Sequence, residues 1–178
     1  SSSELFLSDF ASEANLNLDK NKKILSEGKI ISFATHTFSD KTNFSREQGL
    51  VLTPPKIASK DNDGLLTSSE ISNLSFQDST IILSACDTDK PIFQNAGIFS
   101  GLPRAFIEAG AASVLLTQWN IESNSARIFM TETLKNGIEN KLELSESISE
   151  TMKKFINGSF GEEYKHPYYW SPFLVLGN

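Results

Sequence analysis

The sequence predicts an α/β fold in which a mostly parallel sheet carries helices on both faces. Two patterns predict it: short apolar runs alternate with amphipathic segments along the chain, and the short runs are apolar on both sides, as is typical of strands covered on both faces. The length agrees, because 178 residues suit one domain that buries a core without needing disulfides or metal. We therefore expect a single domain over residues 1–178.

Five short runs are the predicted strands. Each contains five or six residues, mostly apolar or β-branched, and the runs lie at 29–34, 49–53, 80–85, 113–117 and 172–176. Polar segments without periodicity at 40–48, 56–63 and 87–100 are predicted loops. The last of these follows a buried strand directly, and long loops inside compact domains tend to carry function.

The helix signals between these strands are end signals and apolar periodicity. Thr67 and Glu70 form a capping-box pattern at the start of a helix predicted to reach Leu74. Pro103 is suited to a first helical position, and Gly110 to the end of that helix. Apolar side chains at helical spacing predict the remaining helices, at 122–136, at 144–156 and, more briefly, around Glu13.

Composition excludes several classes of function. The 22 acidic and 16 basic side chains give a net charge of −6, which disfavours nucleic acid and anionic membranes as partners. No apolar run approaches the roughly 20 residues that span a bilayer, and the first residues do not resemble a secretory signal. A single cysteine excludes an internal disulfide and any CxxC metal site. We expect a cytoplasmic protein without metal or cofactor.

The reactive side chains follow two of the predicted strands. His36 comes after the strand at 29–34, and Cys86, the single cysteine, comes after the strand at 80–85. Sites in open α/β sheets lie at the carboxyl ends of the strands, so both side chains are expected at one edge. A thiolate and an imidazole within reach of each other form the nucleophile and base of a cysteine peptidase. The structural alternative is a small buried thiol and a histidine that merely ends a strand.

Further candidate residues lie at the same edge. Trp119 and Asn120 follow the strand at 113–117 and are candidates to bind the substrate residue before the scissile bond. The alternative for Trp119 is a packing role. Asp87 is a candidate to bind a basic substrate side chain, or it is an exposed loop acid. His166, in the stretch HPYYW, is expected to pack at the entry to the last strand.

Five segments together resemble the CHAT family of caspase-like cysteine peptidases. They are IISFATHT, DGLLTSSEI, IILSACDT, SGLPRAFIEAGAASVLLTQWNIES and HPYYWSPFLVLG, and the resemblance covers residues 11–177. It implies a caspase-like three-layer sandwich and a protein substrate cleaved by a dyad of His36 and Cys86. The backbone amides of Thr37 and Cys86 would hold the oxyanion. The resemblance also implies the C-terminal catalytic part of a larger protein, with upstream helical repeats or another regulatory partner.

Two departures from the family pattern favour a rival interpretation. Thr37 stands where family members usually have glycine, and its β-branched side chain restricts the backbone. Asp87 and Asp89 replace a neutral residue and a glycine, and their negative charge is expected to raise the pKa of Cys86. A catalytically silent CHAT module that acts as a protein-interaction scaffold is therefore the main alternative. A nucleotide binder is a third, weakened because no GxGxxG or GxxxxGK[ST] follows a strand.

Overall fold

The structure is a computed structural model that describes residues 4–39, 47–83 and 101–177. Cys86, Asp87 and the predicted loop at 87–100 lie outside these residues. The strands are β1 (Ile30–Phe33), β2 (Thr37–Ser39), β3 (Gln48–Val51), β4 (Leu65–Thr67), β5 (Thr80–Leu83), β6 (Ser113–Thr117) and β7 (Phe173–Gly177). The α-helices are α1 (Glu13–Leu16), α2 (Asp19–Glu27), α3 (Ser68–Ile71), α4 (Leu102–Glu108), α5 (Ser123–Asn140) and α6 (Leu144–Ile156).

The main sheet has the order β1-β5-β6-β7. β1, β5 and β6 are parallel, whereas β7 runs antiparallel to β6. The predicted strands at 29–34, 80–85, 113–117 and 172–176 all belong to this sheet. Its direction of pairing confirms a mostly parallel α/β architecture.

Successive residues of the central strands face two different apolar clusters. Ile81 and Val114 lie in a cluster that also contains Phe106 of α4. Their chain neighbours Ile82 and Leu115 lie in a second cluster, with side chains of α5 and α6 such as Phe129 and Phe155. Because side chains alternate along a strand, the two clusters lie on opposite faces of the sheet. The three-layer arrangement is confirmed.

β1 is covered on one face, which contradicts the prediction of strands covered on both faces. Phe33 is buried in the cluster beneath α4, whereas Ile30 is 49% exposed and Ser32 is also exposed. Ser32 pairs with Ile82, whose face is covered by α5 and α6. The cover provided by these two helices therefore ends before β1, and apolar composition cannot reveal where a covering layer stops.

The predicted strand at 49–53 does not join the main sheet. It is observed as β3, the middle strand of a separate antiparallel sheet with the order β2-β3-β4. Gly49 permits the close pairing, because a Cβ atom there would lie 2.4 Å from the carbonyl oxygen of Leu66 and 2.5 Å from the Phe38 ring. Leu50 and Leu66 project into the core beneath α4. β2 and β4 contain three residues each, too few for a recognisable alternation.

The helix starts agree closely with the sequence signals, whereas α5 continues to Asn140, beyond its predicted end at residue 136. The capping box of Thr67 and Glu70 is present, although α3 ends at Ile71 and not at Leu74. Pro103 lies in the first turn of α4, and Gly110 follows that helix with φ of 95°. α6 coincides with its predicted range. α2 was not predicted, since charged residues dominate it. Within the described ranges, no helix has the length and apolar character that a membrane span requires.

Candidate functional site

The register of the main sheet aligns the strands that precede three of the predicted site residues. Ser32, Ile82 and Leu115 lie side by side in the parallel strands β1, β5 and β6. His36, Cys86 and Trp119 each come four residues later in the chain. His36 and Trp119 therefore follow strands on either side of β5, and adjacent strands lie about 4.8 Å apart. Cys86, after β5, is outside the described residues.

His36 lies at a turn whose backbone is attached to the small sheet. Its carbonyl oxygen accepts a hydrogen bond of 2.8 Å from the Val51 N–H, and the Thr35 hydroxyl donates to the Val51 carbonyl. Both strands that flank His36, β1 and β2, are thereby held relative to β3. The imidazole itself is exposed at this edge. A fixed backbone with an exposed side chain is suited to a group that acts on a bound molecule.

The N–H of Thr37 points away from β3. The bond between Val51 and His36 makes those two residues a hydrogen-bonded pair of the antiparallel ladder. The next pair, Thr37 with Leu50, is then of the type without hydrogen bonds, in which the N–H groups point outward. The pairing of β2 with β3 therefore does not use the Thr37 N–H, which faces the outer side of this edge strand.

The Thr37 side chain lies on the inner face of the small sheet. Directly paired residues share a face, and the partner Leu50 is fully buried in the core. The Thr37 hydroxyl oxygen is buried, and no residue of the described part of the chain forms a hydrogen bond with it. A buried hydroxyl without a partner is destabilising.

Thr37→Val is therefore expected to raise the free energy of unfolding by about 1 kcal/mol, because it removes the unpaired hydroxyl and keeps the β-branched shape. Urea unfolding followed by circular dichroism measures the change. Thr133→Val is the control, since the Thr133 hydroxyl is also buried but donates to Thr151 over 3.1 Å. The control is expected to be destabilised. A Thr37→Val protein that is less stable than wild type would contradict the argument.

Trp119 and Asn120 lie alongside the chain that leads into β7. The Gln118 N–H donates to the Pro172 carbonyl at 2.9 Å, and the Tyr168 hydroxyl donates to the Asn120 carbonyl at 3.2 Å. Trp119 lies between these two attachments and its side chain is 38% exposed. The indole is therefore held at the edge without being buried.

Gln48 and Gly101 connect the small sheet to α4, a contact that sequence analysis missed. The Gln48 side-chain oxygen accepts a 3.2 Å hydrogen bond from the Leu102 N–H, at the start of α4. A Cβ atom at position 101 would lie 2.0 Å from that oxygen, and Gly101 has φ of 68°. Only glycine suits both conditions. Gly101 stands just before a helix that begins with a proline, and this position could have marked it as a residue of interest. Its contact with Gln48 could not be predicted, because no sequence pattern connects the two residues.

Comparison with known proteins agrees with this geometry. A family model for the CHAT domain matches residues 2–178, practically the whole chain. The chain belongs to the CHAT family. This family is related to the caspase-like peptidases, so the CHAT assignment accounts for the three-layer α/β architecture.

The CHAT domain also resembles part of a curated human protein, "Tetratricopeptide repeat protein 28" from Homo sapiens. The two are 25% identical over 114 residues, which cover 64% of this CHAT domain. The same alignment covers only 4% of the length of the relative.

Other polar residues of this CHAT domain have structural contacts. The His166 Nδ1 atom accepts from the Tyr168 N–H at 3.2 Å and caps a short turn. Arg104 pairs with Glu108 on the exposed side of α4, at 2.7 Å. Glu13 is buried and accepts backbone hydrogen bonds from the chain before β4. Among the residues that the structure describes, no cluster of histidine, cysteine and acidic side chains is arranged to hold a metal ion.

Proposed function

We propose that this CHAT domain is a cysteine endopeptidase in which Cys86 is the nucleophile and His36 the general base. The observation that carries the proposal is the parallel pairing of β1 with β5. Phe33 and Leu83 end these strands side by side, and His36 and Cys86 each follow three residues later. Adjacent parallel strands lie about 5 Å apart, so the two chain segments that continue from the paired ends of β1 and β5 begin about 5 Å apart.

The reaction is acyl transfer to the thiol and then to water. His36 takes the thiol proton, and the resulting Cys86 thiolate attacks the peptide carbonyl to form a tetrahedral oxyanion. His36 then gives that proton to the departing amine, which leaves a thioester. In the second half, His36 takes a proton from water, and the resulting hydroxide attacks the thioester. The products are a carboxylic acid and the free thiol.

The backbone amides of Thr37 and Cys86 are the proposed oxyanion donors. The outward direction of the Thr37 N–H supports its part in this role, because the pairing of β2 with β3 leaves it unused. A single donor of this kind contributes on the order of 3 kcal/mol to the transition state. Because the donor is a backbone N–H, threonine can replace the usual glycine without removing it.

Asp87, Trp119 and Asn120 are the proposed substrate contacts. Trp119 lies at the edge beside β5 with its indole partly exposed, which supports a place next to the scissile bond. The Asn120 carbonyl is engaged by Tyr168, so its exposed side chain is the group left for the substrate. Asp87 follows the nucleophile directly in the chain and would bind a basic side chain.

A helical-repeat region of the same protein is the proposed regulator of this activity. The relative named for tetratricopeptide repeats is far longer than the segment it shares with this chain. By analogy, the CHAT domain acts as the cytoplasmic catalytic part of a larger protein in which the repeats control access to the dyad. This analogy extends to organisation alone and not to the identity of a substrate.

Mapping of new protein termini in cells tests the peptidase directly. Cells that contain the full-length protein are expected to yield peptide termini that disappear with Cys86→Ala, because the alanine variant has no nucleophile. Quantitative mass spectrometry of labelled N-termini measures the difference. Cys86→Ser, which replaces the thiol with a hydroxyl of similar size, is expected to lose the same termini. Identical termini from wild type and Cys86→Ala would overturn the proposal.

A silent interaction scaffold is the second candidate, and Thr37 favours it. A β-branched residue follows the histidine where the family usually has glycine. In that case wild type and Cys86→Ala should capture the same partner proteins, and neither should generate new termini.

A further inference from the structure

Tyr168 is an exposed aromatic residue at the same edge of the main sheet. Because β7 is antiparallel to β6, the segment that leads into β7 lies where β6 ends. Tyr168 belongs to this segment and is 46% exposed. Its hydroxyl donates to the Asn120 carbonyl at 3.2 Å, next to Trp119.

The ring of Tyr168 is held in place despite its exposure. It makes an edge contact with Tyr169 at a centroid distance of 5.4 Å, and Tyr169 makes an equivalent contact with Tyr164. Tyr164 and Tyr169 pack against the cluster beneath α5 and α6. An aromatic side chain that is already ordered loses little conformational entropy when it binds a ligand.

We propose that Tyr168 and Trp119 form an aromatic subsite for an apolar side chain of the peptide substrate. The proposal rests on the peptidase function and adds Tyr168 as a specificity-determining residue. Both side chains are partly exposed. The two chain segments that carry them are joined by the hydrogen bonds Gln118–Pro172 and Tyr168–Asn120. Two large aromatic faces at one edge provide the apolar area that such a side chain buries.

The charged groups closest in sequence to these aromatics have local partners. Lys165 pairs with Glu162 at 3.3 Å. Both carboxylate oxygens of Glu122 accept hydrogen bonds from backbone N–H groups at the start of α5, at 2.8 and 2.7 Å. Because these charged groups already have partners, the burial of apolar surface is the main contribution of the subsite to the free energy of substrate binding.

Cleavage of a proteome-derived peptide library by the full-length protein tests the subsite. Wild type is expected to prefer leucine, methionine or phenylalanine at one position near the scissile bond. Tyr168→Ala should lower kcat/KM for those peptides roughly tenfold, and by less than about twofold for peptides with alanine there. Tyr168→Phe keeps the ring and should preserve most of the preference.

Ile138→Ala is the matched control. Ile138 is an exposed apolar residue near the far end of α5, a helix of 18 residues that is about 27 Å long. This variant should keep the wild-type preference. Labelling of Cys86 by iodoacetamide should proceed at the wild-type rate in Tyr168→Ala, since the subsite does not activate the thiol.

The possible outcomes distinguish a failure of the subsite proposal from a failure of the peptidase proposal. Cleavage with the same preferences in wild type and Tyr168→Ala overturns the subsite alone. A preference for lysine or arginine that depends on Tyr168 overturns the apolar assignment, because a cation also stacks on aromatic faces. A library that wild type leaves intact overturns both proposals.

Discussion

Alanine in place of His36 is expected to slow the reaction of Cys86 with iodoacetamide by about 30-fold at pH 7. Only the thiolate reacts, and a thiol with an ordinary pKa is only a few per cent thiolate at that pH. In wild type the imidazolium would hold the thiol deprotonated. Because the chain contains one cysteine, the total label measured by mass spectrometry reports on Cys86 alone.

His166→Ala is the matched control for this measurement, since these are the two histidines of the chain. His166 is exposed and its Nδ1 atom caps the turn before β7, so its loss should leave the labelling rate unchanged. A similar rate for wild type and His36→Ala would mean that His36 does not activate the thiol. The peptidase proposal would then fail, and the scaffold would be the better explanation.

Glu13→Ala is expected to lower the free energy of unfolding by about 3 kcal/mol, the largest stability effect that we anticipate. Glu13 is 1% exposed, and one of its carboxylate oxygens accepts from the N–H groups of Asp63 and Gly64. Alanine would leave the buried Gly64 N–H and the partly buried Asp63 N–H without this acceptor. Urea unfolding at neutral pH measures the loss. The effect should spread to β4, which begins directly after Gly64.

Glu13→Gln separates the acceptor from the packing at this position. Glutamine has nearly the same volume and keeps one carbonyl oxygen, so its cost should be about 1 kcal/mol. If glutamine and alanine destabilise the protein equally, the hydrogen bonds to residues 63 and 64 are not the source of the stability.

Local patterns determined much of the fold and supplied the candidate site residues. Runs such as Ser113–Thr117 are apolar on both faces, and a segment of this kind is stable only between two covering layers. The capping box before α3 and the proline near the start of α4 act within a single turn, so they are visible in the sequence. The position of His36 and Cys86 after strands follows from the same local signals.

Sequence alone therefore determined the α/β class and most helix starts, and it supplied the dyad of His36 and Cys86 as a prediction. Only the tertiary structure decided the pairing of β1 with β5, the antiparallel direction of β7, the separate small sheet and the place of Tyr168 beside Asn120. The reason is that a strand's hydrogen-bonding partners lie far away in the chain. Their choice depends on competition among all strands, and no local pattern records it.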